Sequence, residues 1–278
     1  MKKPSIVLQT DFGLTTGFVS SMYGVIKMVD DDLYISDLNH EIRPFDMRQG
    51  AFLLADTIPY WRPGTIFVSV VDPGVGTARR ACVAKLKNGS YIVTPDNGTL
   101  TAMIDEIEAV REIDETVNRL RGSEKAGTFH GRDIFAYTAA RLASGVIDYA
   151  GVGPAYPVSE IVTFKIPASS AGPNEAHGCV TELMDTFGNL ETNIRIDQFE
   201  STGIRQGEHV RVKICHNGAT VFDKPILYHR SFGYAKPGEE ILYNSSTGFM
   251  GIAMNQQDFA RTYGVDGGSA WSLDITKE

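Results

Sequence analysis

Asp11, Asp72, Arg79 and His130 are the side chains of this sequence whose types and settings could do chemistry. Aspartate and histidine accept protons, with reference pKa values of about 3.9 and 6.5. An arginine, at about 12 or above, stays a cation that orients and stabilises negative oxygen. Asp11 ends the apolar run SIVLQT (5–10), and Asp72 ends GTIFVSVV (64–71). Ligands of open α/β sheets bind beyond the carboxyl ends of the strands, so both acids stand where a ligand would be met. Turn chemistry accounts for them equally well, because Asp favours turns and helix N-caps. Arg79 closes DPGVGTAR, whose Gly74 and Gly76 bring backbone close to a ligand or simply permit positive φ. His130 lies in GTFHGRDIF, at the mouth of a helix. A single histidine there serves structure at least as readily as catalysis, and Arg132 and Asp133 read equally as a helix-start charge pair.

Two familiar motifs fail. Asp11-Phe12-Gly13 matches the magnesium motif of kinases, but the chain has neither their glycine-rich loop nor H-R-D. DPGVGTAR lacks the lysine that a phosphate-binding P-loop requires. In the second half, MDTFGNLETN (184–193) puts Asp185, Phe187 and Asn189 in a loop, and NSSTGF (244–249) makes another. Each by itself reads as an ordinary turn between strands.

The elements that must position these residues follow from periodicity. SIVLQT, LYISDL (33–38) and GTIFVSVV read as short buried strands. GFVSSMYGVIKMV (17–29), DMRQGAFLLADTIPYW (46–61) and RDIFAYTAARLASG (132–145) read as helices, the last ending at a glycine. CVAKLKNGSYIVTPDNG (82–98) reads as a hairpin turning at Asn88-Gly89. Strands alternating with helices predict an α/β N-terminal domain with a mainly parallel sheet, over residues 1–166. Small, polar and breaker residues then mark a linker at 167–175. From 176 to 278 helix signals nearly vanish, and short strands between turns predict an all-β, barrel-like C-terminal domain.

Composition narrows the partners. A net charge of -8 over 278 residues, without a Lys/Arg block, argues against nucleic acid, which needs a clustered positive surface. Hydrophobic content of 42% and charged content of 22% are those of a soluble globular protein. The 3 cysteines, Cys82, Cys179 and Cys215, are widely spaced without a C-x-x-C, which disfavours disulfides or structural zinc and suits a reducing cytoplasm. No run approaches the roughly 18 apolar residues of a membrane span, and the N-terminal apolar run of about five is short for a signal peptide. A cytoplasmic protein without a membrane partner is expected.

Taken in order, VLQTDFG, HEIRPFD, VVDPGVGTAR, VTPDNGTLT, TFHGRD, MDTFGNLETN and NSSTGFMGIAMNQ resemble the S-adenosylmethionine (SAM) hydroxide adenosyltransferases, relatives of the fluorinase and chlorinase. Each motif alone is weak; the ordered set covers nearly the whole chain. The resemblance implies an α/β domain, a β-barrel domain, and a homotrimer holding SAM at subunit interfaces. It also implies hydrolysis of SAM to adenosine and methionine by attack of water or hydroxide on C5′, with SAM as substrate and no cofactor or metal. The family's Asp-Arg-His triad falls on Asp72, Arg79 and His130. Asp11 matches the acid on the ribose hydroxyls, Phe45 an aromatic wall, and Asp185 the acid near the methionine amino group. Asn189 matches the adenine-reading amide, Phe187 and Phe232 the aromatics around the base, and Ser246 a methionine-binding serine. Met254 and Gln256 match positions that meet adenine through backbone.

Where the halogenating relatives carry tyrosine, this chain has Asp72, and it also retains the His130-Gly131 pair, which favours water over halide as nucleophile. Thr247 and Glu191 stand where the fluorinase has an arginine and a tryptophan. The other readings weighed are a SAM-dependent halogenase, a SAM or adenosine sensor without turnover, and a metal-dependent hydrolase. The last is disfavoured because the Asp and His residues lack metal-ligand spacing.

Overall fold

The computed structural model describes residues 3–184 and 186–278. The chain divides into two compact units, Met1–Phe164 and Lys165–Glu278. In the first, seven strands form one sheet. They are β1 (Ile6–Thr10), β2 (Ile35–Asn39), β3 (Ile66–Val70), β4 (Ala81–Leu86), β5 (Tyr91–Pro95), β6 (Ile107–Glu112) and β7 (Ala155–Tyr156). Their order is β2-β1-β3-β5-β4-β6-β7. β2, β1, β3 and β5 run parallel, and β4, β6 and β7 add antiparallel. β4 and β5 are the expected hairpin, and Gly89 makes its turn at φ 85°.

The strands alternate between two cores, as a period of two requires. Ile6, Leu8, Ile66 and Val68 face one core, with Met22 and Ile26 of helix α1 (Phe18–Val29). Val7 and Phe67 face the other, with Leu54 of α2 (Met47–Thr57). With both faces covered, β1 and β3 are buried at every residue, hence their mainly apolar sequences. Asp46 caps α2 by accepting from the Gln49 amide at 3.0 Å. The α-helix ends sooner than its expected limit at residue 61. Pro59 lacks an N–H, and the chain continues as a 3₁₀ turn, Ile58–Tyr60. A short helix α3 (Glu115–Asn118) precedes the helix expected from 132. That one begins as a π-helical turn, Gly131–Ala136, and becomes α4 (Tyr137–Ser144), closed by Gly145.

The second unit is a barrel. Its strands are β8 (Ser170–Gly172), β9 (Glu175–Met184), β10 (Asn189–Arg195), β11 (His209–His216), β12 (Ala219–His229), β13 (Glu240–Asn244), β14 (Phe249–Met254) and β15 (Trp271–Lys277). They pair as β10-β14-β13-β12-β11-β15-β9-β8, and β9 also pairs with β10, which closes the ring. Closure removes the open edges that an isolated sheet would expose. Leu190, Val212, Ile214, Leu242, Ile252 and Leu273 fill its interior. The segment 170–172, within the stretch expected as a linker, is an edge strand of this sheet. Two short helices, α5 (Ile196–Glu200) and α6 (Phe259–Tyr263), flank the barrel. No helix among the described residues is long and apolar enough to cross a membrane.

Candidate active site

Beyond the end of β3 the chain turns back on itself. The Val75 amide donates to the Asp72 carbonyl, and both the amide and the hydroxyl of Thr77 donate to the Gly74 carbonyl. Gly76 takes φ 74°, and a Cβ there would lie 2.7 Å from the Gly127 carbonyl oxygen, so only glycine fits this close approach. The loop returns Arg79 to Asp72. Nε donates to both carboxylate oxygens at 3.0 Å, and Nη2 donates to Oδ2 at 2.5 Å. The two side chains are only 9% and 4% exposed. A pair this desolvated is costly to break: removing one partner leaves a buried charge, at about 3–5 kcal/mol. Asn97 steadies the loop's root, donating from Nδ2 to the Val71 carbonyl at 2.8 Å.

The same Arg79 Nη2 stands 2.9 Å from Nδ1 of His130. His130 is buried, just ahead of the π-helical turn. Phe135 of that turn supports the guanidinium, whose Cζ is 5.2 Å from the ring centroid. Asp72, Arg79 and His130 therefore meet in one cluster, although Asp72 alone reads equally as a turn residue and His130 alone reads more readily as structural. Burial, and then the Arg79 cation, hold the His130 pKa below its ordinary value; Arg119 adds to this, while Glu115 and Asp72 oppose it. A titratable group perturbed by burial plus a specific charge partner is a functional-site signal. Arg80, adjacent in sequence, faces away from this cluster: it pairs with Glu160 at 3.0 Å and lies over the Tyr156 ring.

Asp11 sits at the end of β1. Its Oδ2 accepts from the Phe45 amide at 3.0 Å, and Phe45 takes a positive φ of 68°. That conformation is costly for a bulky residue and is stabilised here by the Asp11 contact. The Phe45 ring is exposed. The neighbouring Thr10 hydroxyl is 2.9 Å from His40 Nδ1, and His40 Nε2 is 2.8 Å from Asp37. Tyr23 donates to the same Asp37. Sequence reasoning passed over this chain of contacts, although His40 opens the HEIRPFD motif.

On the barrel, Phe187, Asn189, Phe232, Met254 and Gln256 line one cleft of about 500 Å³. Phe187 and Phe232 are exposed aromatics, while Asn189 is buried. Gln256 adopts φ 59°, placing its backbone in the left-handed region. Gly188, at φ 69°, turns the loop so tightly that a Cβ would collide with the Asp258 carboxylate, which caps α6. Asp185, expected near the methionine amino group, lies outside the described residues. Ser246 is exposed at the tip of its turn. The buried hydroxyl is that of Ser245, which donates to Glu191; Thr247 Oγ1 also donates to Glu191, at 3.0 Å. Glu191 is 3% exposed, so this carboxylate is partnered inside the barrel wall.

An α/β domain presenting an Asp-Arg-His cluster at its strand ends, and a closed barrel carrying an aromatic cleft with a buried amide, define a two-domain enzyme acting on a small molecule. The chain belongs to the SAM hydroxide adenosyltransferase family: the N-terminal domain model matches residues 6–153 and the C-terminal domain model residues 181–272. It is similar to the (R)-S-adenosyl-L-methionine hydrolase of Salinispora tropica, at 36% identity covering 95% of each chain. It is also similar to the fluorinase of an Actinoplanes species, at 28% identity covering 99% of this chain and 98% of that one. A crystal structure of a conserved protein from Thermotoga maritima superimposes with a TM-score of 0.87 at 33% identity, covering 98% of this chain and 100% of that one.

Proposed function

We propose that this protein hydrolyses SAM to adenosine and methionine. The observation that carries the reading is the position of Arg79 Nη2, within hydrogen-bond distance of both Asp72 and His130. Such a group suits an oxygen nucleophile. Water attacks C5′, the new C5′–O bond forms, the C5′–S bond breaks, and its electron pair returns to sulfur, which leaves as the neutral thioether of methionine. One proton is released. Because the sulfonium is already an activated leaving group, the protein need only align and deprotonate water in a dry site.

Arg79 is a donor only, so it orients the nucleophile and stabilises its negative charge. Asp72 and His130 are the two acceptors, and one guanidinium nitrogen lies within hydrogen-bond distance of both. In this reading Asp11 holds the ribose hydroxyls and Phe45 walls the site. Phe187 and Phe232 stack on adenine, and Asn189 reads its edge, with the backbones of Met254 and Gln256 beside it. Ser246 and Asp185 meet the methionine end. The relatives named as hydrolases support the activity, at 36% identity for that of Salinispora tropica against 28% for the fluorinase.

The reading includes a homotrimer with active sites at subunit interfaces. In its support, the Asp-Arg-His cluster and the aromatic cleft lie on separate domains. It requires no cofactor, metal, nucleic acid or membrane, and places the protein in the cytoplasm. Incubation with SAM in ¹⁸O-labelled water tests it: adenosine should carry the label in its 5′-hydroxyl. Unlabelled adenosine, a 5′-halo-5′-deoxyadenosine formed with added halide, or tight SAM binding without product would each overturn it.

A further inference from the structure

We propose that Arg119, held by Glu115, is a positioning residue for His130 whose guanidinium opposes protonation of the imidazole. The proposal deepens the reading above, since it concerns the same histidine. Arg119 Nη2 pairs with Glu115 Oε2 at 2.5 Å and stands 3.4 Å from His130 Nε2, on the side of the ring opposite Arg79. Both ring nitrogens of His130 thus face a guanidinium.

A guanidinium donates and never accepts. The shorter contact, 2.9 Å from Arg79 Nη2, is the hydrogen bond, so Nδ1 offers its lone pair and the ring proton sits on Nε2. The 3.4 Å to Arg119 is then an approach of donor to donor, which fits its greater length. A second proton would have to enter at Nδ1. It would break the Arg79 bond and place an imidazolium between two cations. Arg119 therefore opposes protonation from one side as Arg79 does from the other. Glu115 raises the His130 pKa by more than Arg119 lowers it, so Arg119 acts by restraining that acid's pull on the ring. The charged groups facing His130 are Asp72 and Arg79 from the β3 loop, and Glu115 and Arg119 from α3 and its C-terminus.

The backbone around Arg119 is built to hold this position. Asp114 caps α3 through the Thr116 amide. Buried Asn118 donates to the Gly151 and Val152 carbonyls at 3.0 and 2.9 Å. Its own carbonyl accepts from Thr138, and the next amide after Arg119, that of Leu120, donates to Asp133. Anchors on both sides of residue 119 leave little freedom to a side chain already paired at its tip. The guanidinium is mostly buried, and its Nη1 has no hydrogen-bond partner among the described residues. A buried unsatisfied donor is a cost that a purely structural surface pair would avoid.

The test follows the His130 ring directly, by two-bond ¹H–¹⁵N NMR across a pH titration of the substrate-free protein. The wild type should show the Nε2–H tautomer. Arg119→Met should move the His130 midpoint to higher pH. Glu115→Gln should move it to lower pH, and Arg119→Lys should hold it close to the wild type. In SAM turnover, kcat of Arg119→Met should fall on the acid side and recover as the pH rises. Midpoints that stay put, or that move the same way in the Arg119→Met and Glu115→Gln variants, overturn the proposal. So does an Nδ1–H tautomer in the wild type. If Arg119→Met does not fold, the Glu115→Gln direction decides alone. The NMR titration needs no substrate, so its outcome is independent of whether SAM is the substrate.

Discussion

Arg79 offers one nitrogen, Nη2, to His130 Nδ1 at 2.9 Å while the same nitrogen bonds Asp72. The proton-accepting side chains are thus joined through a cation that cannot itself be deprotonated. A charge-preserving change tests whether the planar fork matters. Arg79→Lys retains the charge but cannot contact the Asp72 carboxylate through two nitrogens and His130 together. Adenosine release by chromatography should fall about 10²–10³-fold, the usual loss for one aimed donor. SAM binding by calorimetry should survive. Wild-type turnover in Arg79→Lys would remove the guanidinium geometry from the mechanism.

The protonation of His130 sets a pH dependence. Its pKa is lowered by burial first and by Arg79 next, so the fold favours the neutral ring. The stability from this group is fully present above the unfolded value, about 6.5, and is lost as pH falls from there through the lowered folded value. Turnover should decline through the same folded value, because an imidazolium cannot accept the Arg79 hydrogen bond. Thermal unfolding of wild type and His130→Asn between pH 8 and pH 5 measures the stability part. The variant should lack part of the acid-side slope; identical slopes would refute the linkage.

Two aromatics flank the barrel cleft, and each is more than a third exposed, which is unusual for a side chain whose only role is packing. Phe187→Ala and Phe232→Ala should each weaken SAM binding by about 0.5–1.5 kcal/mol, a stacking-sized loss. In initial-rate measurements KM should rise roughly 2- to 12-fold while kcat holds. A fall in kcat at unchanged KM would place these rings elsewhere in the mechanism.

Gly188 is required by shape. At φ 69° any side chain is strained, and the added methyl would run into Asp258. Gly188→Ala should destabilise the barrel by at least about 1–3 kcal/mol in urea unfolding, the cost of a strained left-handed residue. It should also raise KM, since Asn189 is the next residue of the chain. An unchanged unfolding midpoint would show that the loop relaxes.

Association is measurable without substrate. Light scattering coupled to gel filtration should give three copies of the 30.4 kDa chain. A monomer with full activity would rule out a site completed by a neighbouring subunit.

Much of the fold was legible locally. Short, mainly apolar runs marked β1 and β3, and Asn88-Gly89 marked the hairpin. Pro59 and the π-helical turn after His130 altered the helices, because an N–H deficit and a widened turn change backbone bonding without changing hydrophobic periodicity. The breaker-rich stretch at 167–175 hid an edge strand, since Ser170, Ala171 and Gly172 have weak strand propensity and pair only because β9 lies alongside. Arg119 escaped notice for a similar reason. Glu115 and Arg119 are spaced as an ordinary i,i+4 surface pair, and nothing local reveals the histidine beside them.

From the chain alone came the elements, the two domains and an ordered set of motifs specific enough to indicate the family. Residue types at strand ends and turns are chosen by local backbone needs, and those leave a trace in sequence. The meeting of Asp72, Arg79 and His130, the second guanidinium on the imidazole, and the buried bond from Thr247 to Glu191 came from the folded chain. Such contacts join residues as far apart as 51 and 56 positions, across separate elements. Their distances depend on loop paths and packed cores, which no local pattern of residue types encodes.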